Sequence, residues 1–400
     1  MADDSAGSAP LRYGPLKYGM VGGGPGAFIG AVHRRAAALD GLAVLVAGAF
    51  ASSAERSQAQ GRALGLDPAR VYDGFARMAD AEAERPAGER LDFVSIVTPN
   101  HMHYPAARAF LERGFHVVCD KPLATTLADA EALCRLAAQQ DRVFAVTHNY
   151  AGYPMVKQAR ALVAEGVLGP VRRVLAEYVQ DWLGTAVEES GQKQAAWRTD
   201  PARSGPAGAV GDIGTHAEHL ARYVTGLDLE ALCAEFTTFV PGRLLEDDAS
   251  MLLRYAGGAR GTLTCSQVAS GEENTVRLRV YGERASLDWS HEAPNVLTVK
   301  RPGRPAELWT RGQPYLAPAA LRASRLPPGH PEGFHEAFAN VYANFARTVQ
   351  ALRDRRAPDP LDLDFPTVQD GARGVHFVET AVASARAGAA WVDARYEPPA

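Results

Sequence analysis

Three separated stretches carry side chains able to move a proton beside an alcohol. In "CDKPLA", residues 119–124, Lys121 follows the apolar run "FHVVCD". In "GDIGTHAEHL", residues 211–220, Asp212 and His216 stand four apart and His219 three further on. A helix would put all three on one face. An imidazole near its ordinary pKa exchanges protons at neutral pH, and an ammonium stabilises an oxygen that is losing its proton. Lys121, Asp212 and His216 are therefore the candidate catalytic set, whereas His219 reads better as a core histidine. The third stretch is "VTPNHMHYP", 97–105, in which Thr98, Asn100 and His103 are candidate cofactor contacts and His101 a helix cap. "THNY", 147–150, adds His148 and Tyr150 as candidate substrate contacts. Tyr178, Trp197 and Arg198, aromatic and polar, complete that set.

Other chemistries lack their residues. There is no G-x-S-x-G elbow for acyl transfer. No carboxylate pair is evident for direct glycoside cleavage. His216 and His219 lack the H-E-x-x-H spacing and a third ligand, so no metal is expected. The four cysteines (119, 134, 233, 265) are scattered and form no C-x-x-C. A net charge of −4 without a basic run gives no footprint for nucleic acid. No apolar run is long enough for a membrane span. Residues 1–15 lack the apolar core of a signal peptide and read as a flexible tail, so a soluble, cytoplasmic protein is the expectation.

Side chains so far apart in sequence must be carried by a scaffold. Residues 16–150 alternate strand and helix: strands at 16–22, 42–49, 91–99, 115–120 and 142–150, with helices at 28–39, 53–64, 104–113 and 126–140. This rhythm predicts an α/β Rossmann domain with a doubly wound parallel sheet. Ligands of such sheets bind beyond the carboxyl ends of the strands, where Lys121, Asn100 and His148 all fall. After residue 150 the rhythm changes. A helix (153–165) precedes strands at 171–180, 231–240, 248–256, 260–269, 275–282 and 285–289. That predicts an α+β domain over 151–400 with an open, mostly antiparallel sheet for substrate binding and oligomerisation. Residues 301–331, rich in Pro and Arg, read as a surface loop or arm. Residues 333–352 and 366–387 read as helices, the second a candidate to pack back on the first domain.

"MVGGGPGAFIGAVHRR", 20–35, lies between the first strand and helix. Glycine there lets the backbone approach a pyrophosphate, and the helix N-terminus supplies N–H donors. Gly22 and Gly24 fit the first two positions and Gly30 the third, with Pro25-Gly26-Ala27 inserted between. Gly26, Phe28 and Ile29 join them as candidate cofactor contacts. The acid that usually binds the ribose diol is missing: the second strand ends "AGAFASSAER", with Ser52, Ser53 and Arg56 in its place. Hydroxyls can bind a diol or a phosphate and Arg56 could favour NADP, so a dinucleotide is expected, NAD or NADP, with the preference left open by these residues.

These motifs together resemble the Gfo/Idh/MocA family of nicotinamide-dependent sugar and inositol oxidoreductases. The carriers are the glycine turn, "VTPNHMH" (97–103), "DKPLA" (120–124), "AAWRTDP" (195–201) and "GDIGTH" (211–216), in the family's order from about residue 16 onward. The resemblance implies that Lys121, Asp212 and His216 are the catalytic residues and that the chain forms a homodimer or homotetramer through its open sheet. Two departures stand out: the acid usually written E-K-P is Asp120, one methylene shorter, and the glycine turn carries three extra residues. "GGGPGAFIGAVHR" with "GHPEGFHEAFANVYANF" (329–345) is similar to the branch acting on inositols, inososes and related cyclic polyols or glucosides. The implied activity is hydride transfer between nicotinamide and a secondary alcohol or ketone. A redox-neutral glycosidase that oxidises and re-reduces its substrate, and a non-catalytic dinucleotide-binding regulator, are the alternatives.

Overall fold

The computed structural model describes residues 14–400, so all but the last two residues of the expected tail lie outside it. The first half holds β1 (Leu16–Gly22), α1 (Phe28–Leu39), β2 (Ala43–Ala49), α2 (Ala54–Ala63), α3 (Phe75–Ala83), β3 (Phe93–Val97), α4 (His103–Leu111), β4 (His116–Cys119), α5 (Leu127–Gln139) and β5 (Phe144–Val146). Its five strands are parallel in the order β2-β1-β3-β4-β5. All five residues of β3, "FVSIV", are buried, as a strand covered on both faces requires.

The second half holds α6 (Pro154–Ala164), β6 (Val171–Val179), α7 (Lys193–Arg198), α8 (Pro201–Ser204), α9 (Thr215–Thr225) and β7 (Leu229–Thr237). It continues through β8 (Asp248–Tyr255), β9 (Arg260–Ser266), β10 (Thr275–Gly282), β11 (Ser286–Ser290), β12 (Val296–Lys300) and β13 (Glu307–Thr310). Then come α10 (Pro318–Arg322), α11 (Phe334–Arg353), α12 (Val368–Arg386) and β14 (Val392–Asp393). One nine-stranded sheet, ordered β13-β12-β11-β10-β6-β9-β8-β7-β14, contains a single parallel pair, β6 with β9. Burial along β8 alternates strictly, so one face packs on the core and the other stays open.

Two late helices return to the first sheet. Phe338, Tyr342 and Phe345 of α11 are buried in one cluster with Tyr18, Met20 and Phe93. Each such side chain is worth about 1.5–3 kcal/mol of burial, enough to fix the helix there. Val368, Ala372 and Val375 of α12 pack with α5 and β5, while Phe377, Val378 and Ala381 pack into the second core. The 301–331 segment corrects the loop expectation. β13 extends the sheet, and the buried Arg311 guanidinium donates to Glu332 and to the carbonyls of Leu326 and Pro327. Composition reads as loop there because this order comes from one arginine meeting carbonyls that no local pattern announces. Among the described residues, no helix is long and apolar enough to cross a membrane.

Candidate active site

The two halves meet over the carboxyl ends of the parallel strands, and two adjoining cavities open there. The smaller, of about 240 Å³, is walled on one side by the turn between β1 and α1, residues 22–27. Gly22 has φ +87°, and a Cβ on it would stand 2.8 Å from the carbonyl oxygen of Val97. A Cβ on Gly24 would stand 2.6 Å from the Phe50 carbonyl oxygen. Only glycine lets this turn sit between β2 and β3, leaving a bare backbone wall. Gly30 lies against the Cα of Gly23, which seats α1 on the turn. Ile29, Ser52, Arg56, Thr98 and Asn100 line the same cavity. Its backbone wall, hydroxyls and open helix start fit a dinucleotide.

The larger cavity, of about 560 Å³, shares Ile29, Asp120, Lys121, Gln194, Arg198 and Asp212 with the first. His216, Tyr150 and Tyr178 line it as well, so the three candidate catalytic residues reach one space. A π-helical turn, Val210–Gly214, carries Asp212 into α9. This turn breaks the even i, i+4 register expected from the sequence. Asp212 consequently faces Lys121 and makes no hydrogen bond with His216. Lys121 Nζ donates to Asp212 Oδ1 at 2.9 Å and to the Asp212 carbonyl oxygen. Arg198 Nε (3.1 Å) and Gln267 Nε2 (2.8 Å) donate to Oδ2. Burial pushes the Asp212 carboxyl up, but Lys121 and Arg198 outweigh it and hold it well below the usual carboxylate range.

His216 is held by packing. Tyr150 meets it edge to face at 5.0 Å and His148 at 5.5 Å between ring centroids, and its Nδ1 has no hydrogen-bond partner. Burial, then the neighbouring Lys121 charge, hold the imidazole well below its ordinary pKa, so it is neutral at neutral pH. The far wall is a hydrogen-bonded string. Tyr150 donates to Tyr178 (2.9 Å) and Tyr178 donates to Asn274 Oδ1 (2.9 Å). His291 Nδ1 lies 3.4 Å from Asn274 Nδ2 and 3.3 Å from the Asn274 carbonyl oxygen. Burial raises both phenols, which therefore stay neutral.

Several expectations change. His103 does not reach the cofactor cleft: it is buried, with ring nitrogens 2.7 Å from the Pro122 carbonyl oxygen and 2.9 Å from that of Thr98, and it ties two loops together. His148 lines neither cavity. It lies between His216 and His219, stacked on His219 at 4.3 Å, because the chain turns inward after β5. Trp197 lines the smaller cavity and packs under the Arg198 guanidinium at 4.3 Å. Phe28 is exposed and lines the larger cavity. Asn100 lines the cleft while donating to the Ser204 carbonyl oxygen at 2.9 Å, a link across the two halves. Sequence reasoning missed Gln267, Asn274 and His291. They follow no motif and arrive only through strand register, in which Val276 pairs with Tyr178. Gln180 and Trp182, just past the end of β6 in "YVQDW", carried a readable signal: polar and aromatic residues at a strand end. Among the described residues no group of three or more His, Cys, Asp or Glu is placed to hold a metal.

Comparison with known proteins matches residues 16–148 to the oxidoreductase family with an NAD-binding Rossmann fold, and residues 156–288 to the GFO/IDH/MocA C-terminal domain. The chain is 36% identical to the uncharacterized oxidoreductase YfiI of Bacillus subtilis over 95% of this chain and 97% of that one. An oxidoreductase structure from Sinorhizobium meliloti is 47% identical with a TM-score of 0.86, covering 94% and 99% of the two chains. An inositol dehydrogenase homolog from Azotobacter vinelandii, complexed with NAD+, is 40% identical with a TM-score of 0.91, covering 96% and 99%. Its complex with NADH and myo-inositol superposes with a TM-score of 0.88 at 39% identity, covering 95% and 98%.

Proposed function

The chain belongs to the GFO/IDH/MocA oxidoreductase family, and from that premise we propose that it is an NAD-dependent dehydrogenase of a cyclic polyol or sugar, oxidising one ring hydroxyl to a ketone or reversing that step. The observation that carries the reading is the meeting of Lys121 and His216 in one cavity that opens into the glycine-lined cleft. Gly22, Gly24, Gly26, Ile29, Ser52, Arg56, Thr98 and Asn100 would hold the cofactor. Bound there, nicotinamide supplies a hydride acceptor or donor.

The protein's own part follows from the geometry. His216, neutral at neutral pH, takes the hydroxyl proton of the bound alcohol. Lys121 donates a hydrogen bond to the same oxygen and stabilises its growing negative charge, an effect worth about 3–4 kcal/mol for one well-placed donor. Asp212 holds the lysine in place and offsets its charge. Arg198 and Gln267 keep that carboxylate from turning toward His216. Tyr150, Tyr178 and Asn274 present neutral hydrogen-bonding groups to ring hydroxyls. Arg198 and Lys121, the cations at the inner wall, already share Asp212, which favours an uncharged ring over a sugar phosphate or sugar acid.

The reading is tested by offering inositols, hexoses and glucosides with NAD and NADP in turn and following reduced nicotinamide. Stoichiometric NADH from at least one neutral ring supports it. Glycoside cleavage without net NADH would establish the redox-neutral alternative instead.

A further inference from the structure

Lys121 is also held from behind. Asp120 Oδ1 accepts the Lys121 backbone N–H at 2.9 Å and the Thr147 hydroxyl at 2.8 Å. Its other oxygen, Oδ2, stops 4.0 Å from Nε2 of His33, too far for a hydrogen bond. His33 is fully buried, and that nitrogen has no hydrogen-bond partner. On its other side, Nδ1 lies 2.8 Å from the Tyr342 hydroxyl, which lies 2.7 Å from Ser95 Oγ. A string of buried polar groups therefore runs from α11 through α1 toward the lysine loop and breaks just before Asp120. A glutamate here would carry one more methylene. One further C–C bond, ~1.5 Å, is about the length by which Asp120 falls short of His33.

We propose that Asp120 is a positioning residue for Lys121: its carboxylate anchors the lysine backbone to Thr147, and its short side chain keeps that carboxylate on the cleft wall and off His33. The proposal rests on the reading of Lys121 as the group that contacts the reacting oxygen. An acceptor fixed on the lysine's own N–H sets where the side chain starts, and the ion pair with Asp212 sets where it ends.

Four variants and a substrate-independent readout test it. Turnover, KM and NADH affinity are measured alongside the rate at which an amine-reactive reagent labels Lys121, read by mass spectrometry. Asp120→Ala removes both accepted bonds. It is expected to lower kcat about 100-fold, the cost of misplacing a reacting group by an ångström, with KM and NADH affinity within about threefold, and to speed Lys121 labelling. Asp120→Asn keeps an acceptor oxygen and is expected to rescue both readouts to within about threefold of wild type. Asp120→Glu reaches His33 and is expected to fall between the asparagine and alanine variants in both readouts. Tyr342→Phe breaks the string without touching the lysine loop, and is expected to lower Tm while leaving kcat and labelling unchanged. Wild-type kcat and labelling in Asp120→Ala would overturn the proposal. So would equal damage in the asparagine variant, which would make charge rather than anchoring the cause, or NADH affinity lost in step with kcat. Should the wild type oxidise no ring alcohol, the reading of the function fails, and the labelling rates still decide the anchoring.

Discussion

The two cavities share a wall but are built in opposite ways. The smaller has one wall of backbone: a contiguous turn, residues 22–27, faces it, and the shape of that wall is set by where a Cβ cannot go. The larger has no such continuous wall: its lining comes from α1, β6, the segments after β4, β5 and β6, α7, the π turn, α9, the loop before β10, His291 after β11 and the start of α11. A backbone wall recognises what all dinucleotides share, because N–H groups and bare Cα atoms are the same whatever the neighbours. A side-chain wall can vary residue by residue, so on the proposed assignment it is the wall suited to substrate choice.

This division of labour can be broken by experiment. The largest effect is expected at the shared wall. Lys121→Ala or His216→Ala should each lower kcat about 1,000-fold or more, with NADH affinity within about threefold. Stopped-flow turnover and NADH fluorescence titration check both, and an active variant would remove that residue from the proton path. Next is the backbone wall. Gly24→Val places a branched side chain where a Cβ already meets a carbonyl oxygen at 2.6 Å. Overpacking of this kind costs about 1–3 kcal/mol, so NADH affinity should fall roughly 10–100-fold. If substrate KM responds and NADH affinity does not, the assignment of the two cavities is wrong. A smaller effect is expected on the side-chain wall: Asn274→Ala removes the acceptor for Tyr178 and should cost about 1–2 kcal/mol, lowering kcat/KM for the ring alcohol about tenfold with NADH affinity unchanged.

The smallest effect concerns pH. Burial pushes His33 down to about 4 and His219 down to about 3. A depressed imidazole means that the unfolded chain binds the proton first, so stability is present above pH 6.5 and drains away as pH falls toward these values. Glu246 acts with the opposite sign. Burial raises it to about 7, so its contribution is complete below pH 4.5 and fades as pH rises through 7. Thermal melts between pH 7 and 4 should show a net fall in Tm on acidification, and His219→Asn should flatten the slope. A slope unchanged in that variant would mean that His219 titrates normally.

Legibility followed the same division as the two cavities. The glycine turn, the "DKPLA" loop and the "GDIGTH" segment could be read because each sits at a fixed place on a strand end or helix start, and local periodicity places strand ends. The spacing of Asp212 and His216 reads as one regular helix face; both do line the larger cavity, but a π turn spans Asp212 and its carboxylate faces Lys121. His103 and His148 misled because a polar residue at the right strand end can face the cleft or turn behind it, and the carbonyls of Thr98 and Pro122 decided the matter for His103.

The sequence by itself determined the parallel sheet, the open second sheet, the glycine cradle and the identity of the lysine and histidine that meet, because all of these follow from periodicity and from residue types at strand ends. Only the tertiary structure decided that Asp212 turns to Lys121, that Asn274 and Gln267 join the site, and that His33 stops short of Asp120. Those outcomes depend on distances between elements far apart in the chain, and such distances are set by how side chains pack rather than by their order.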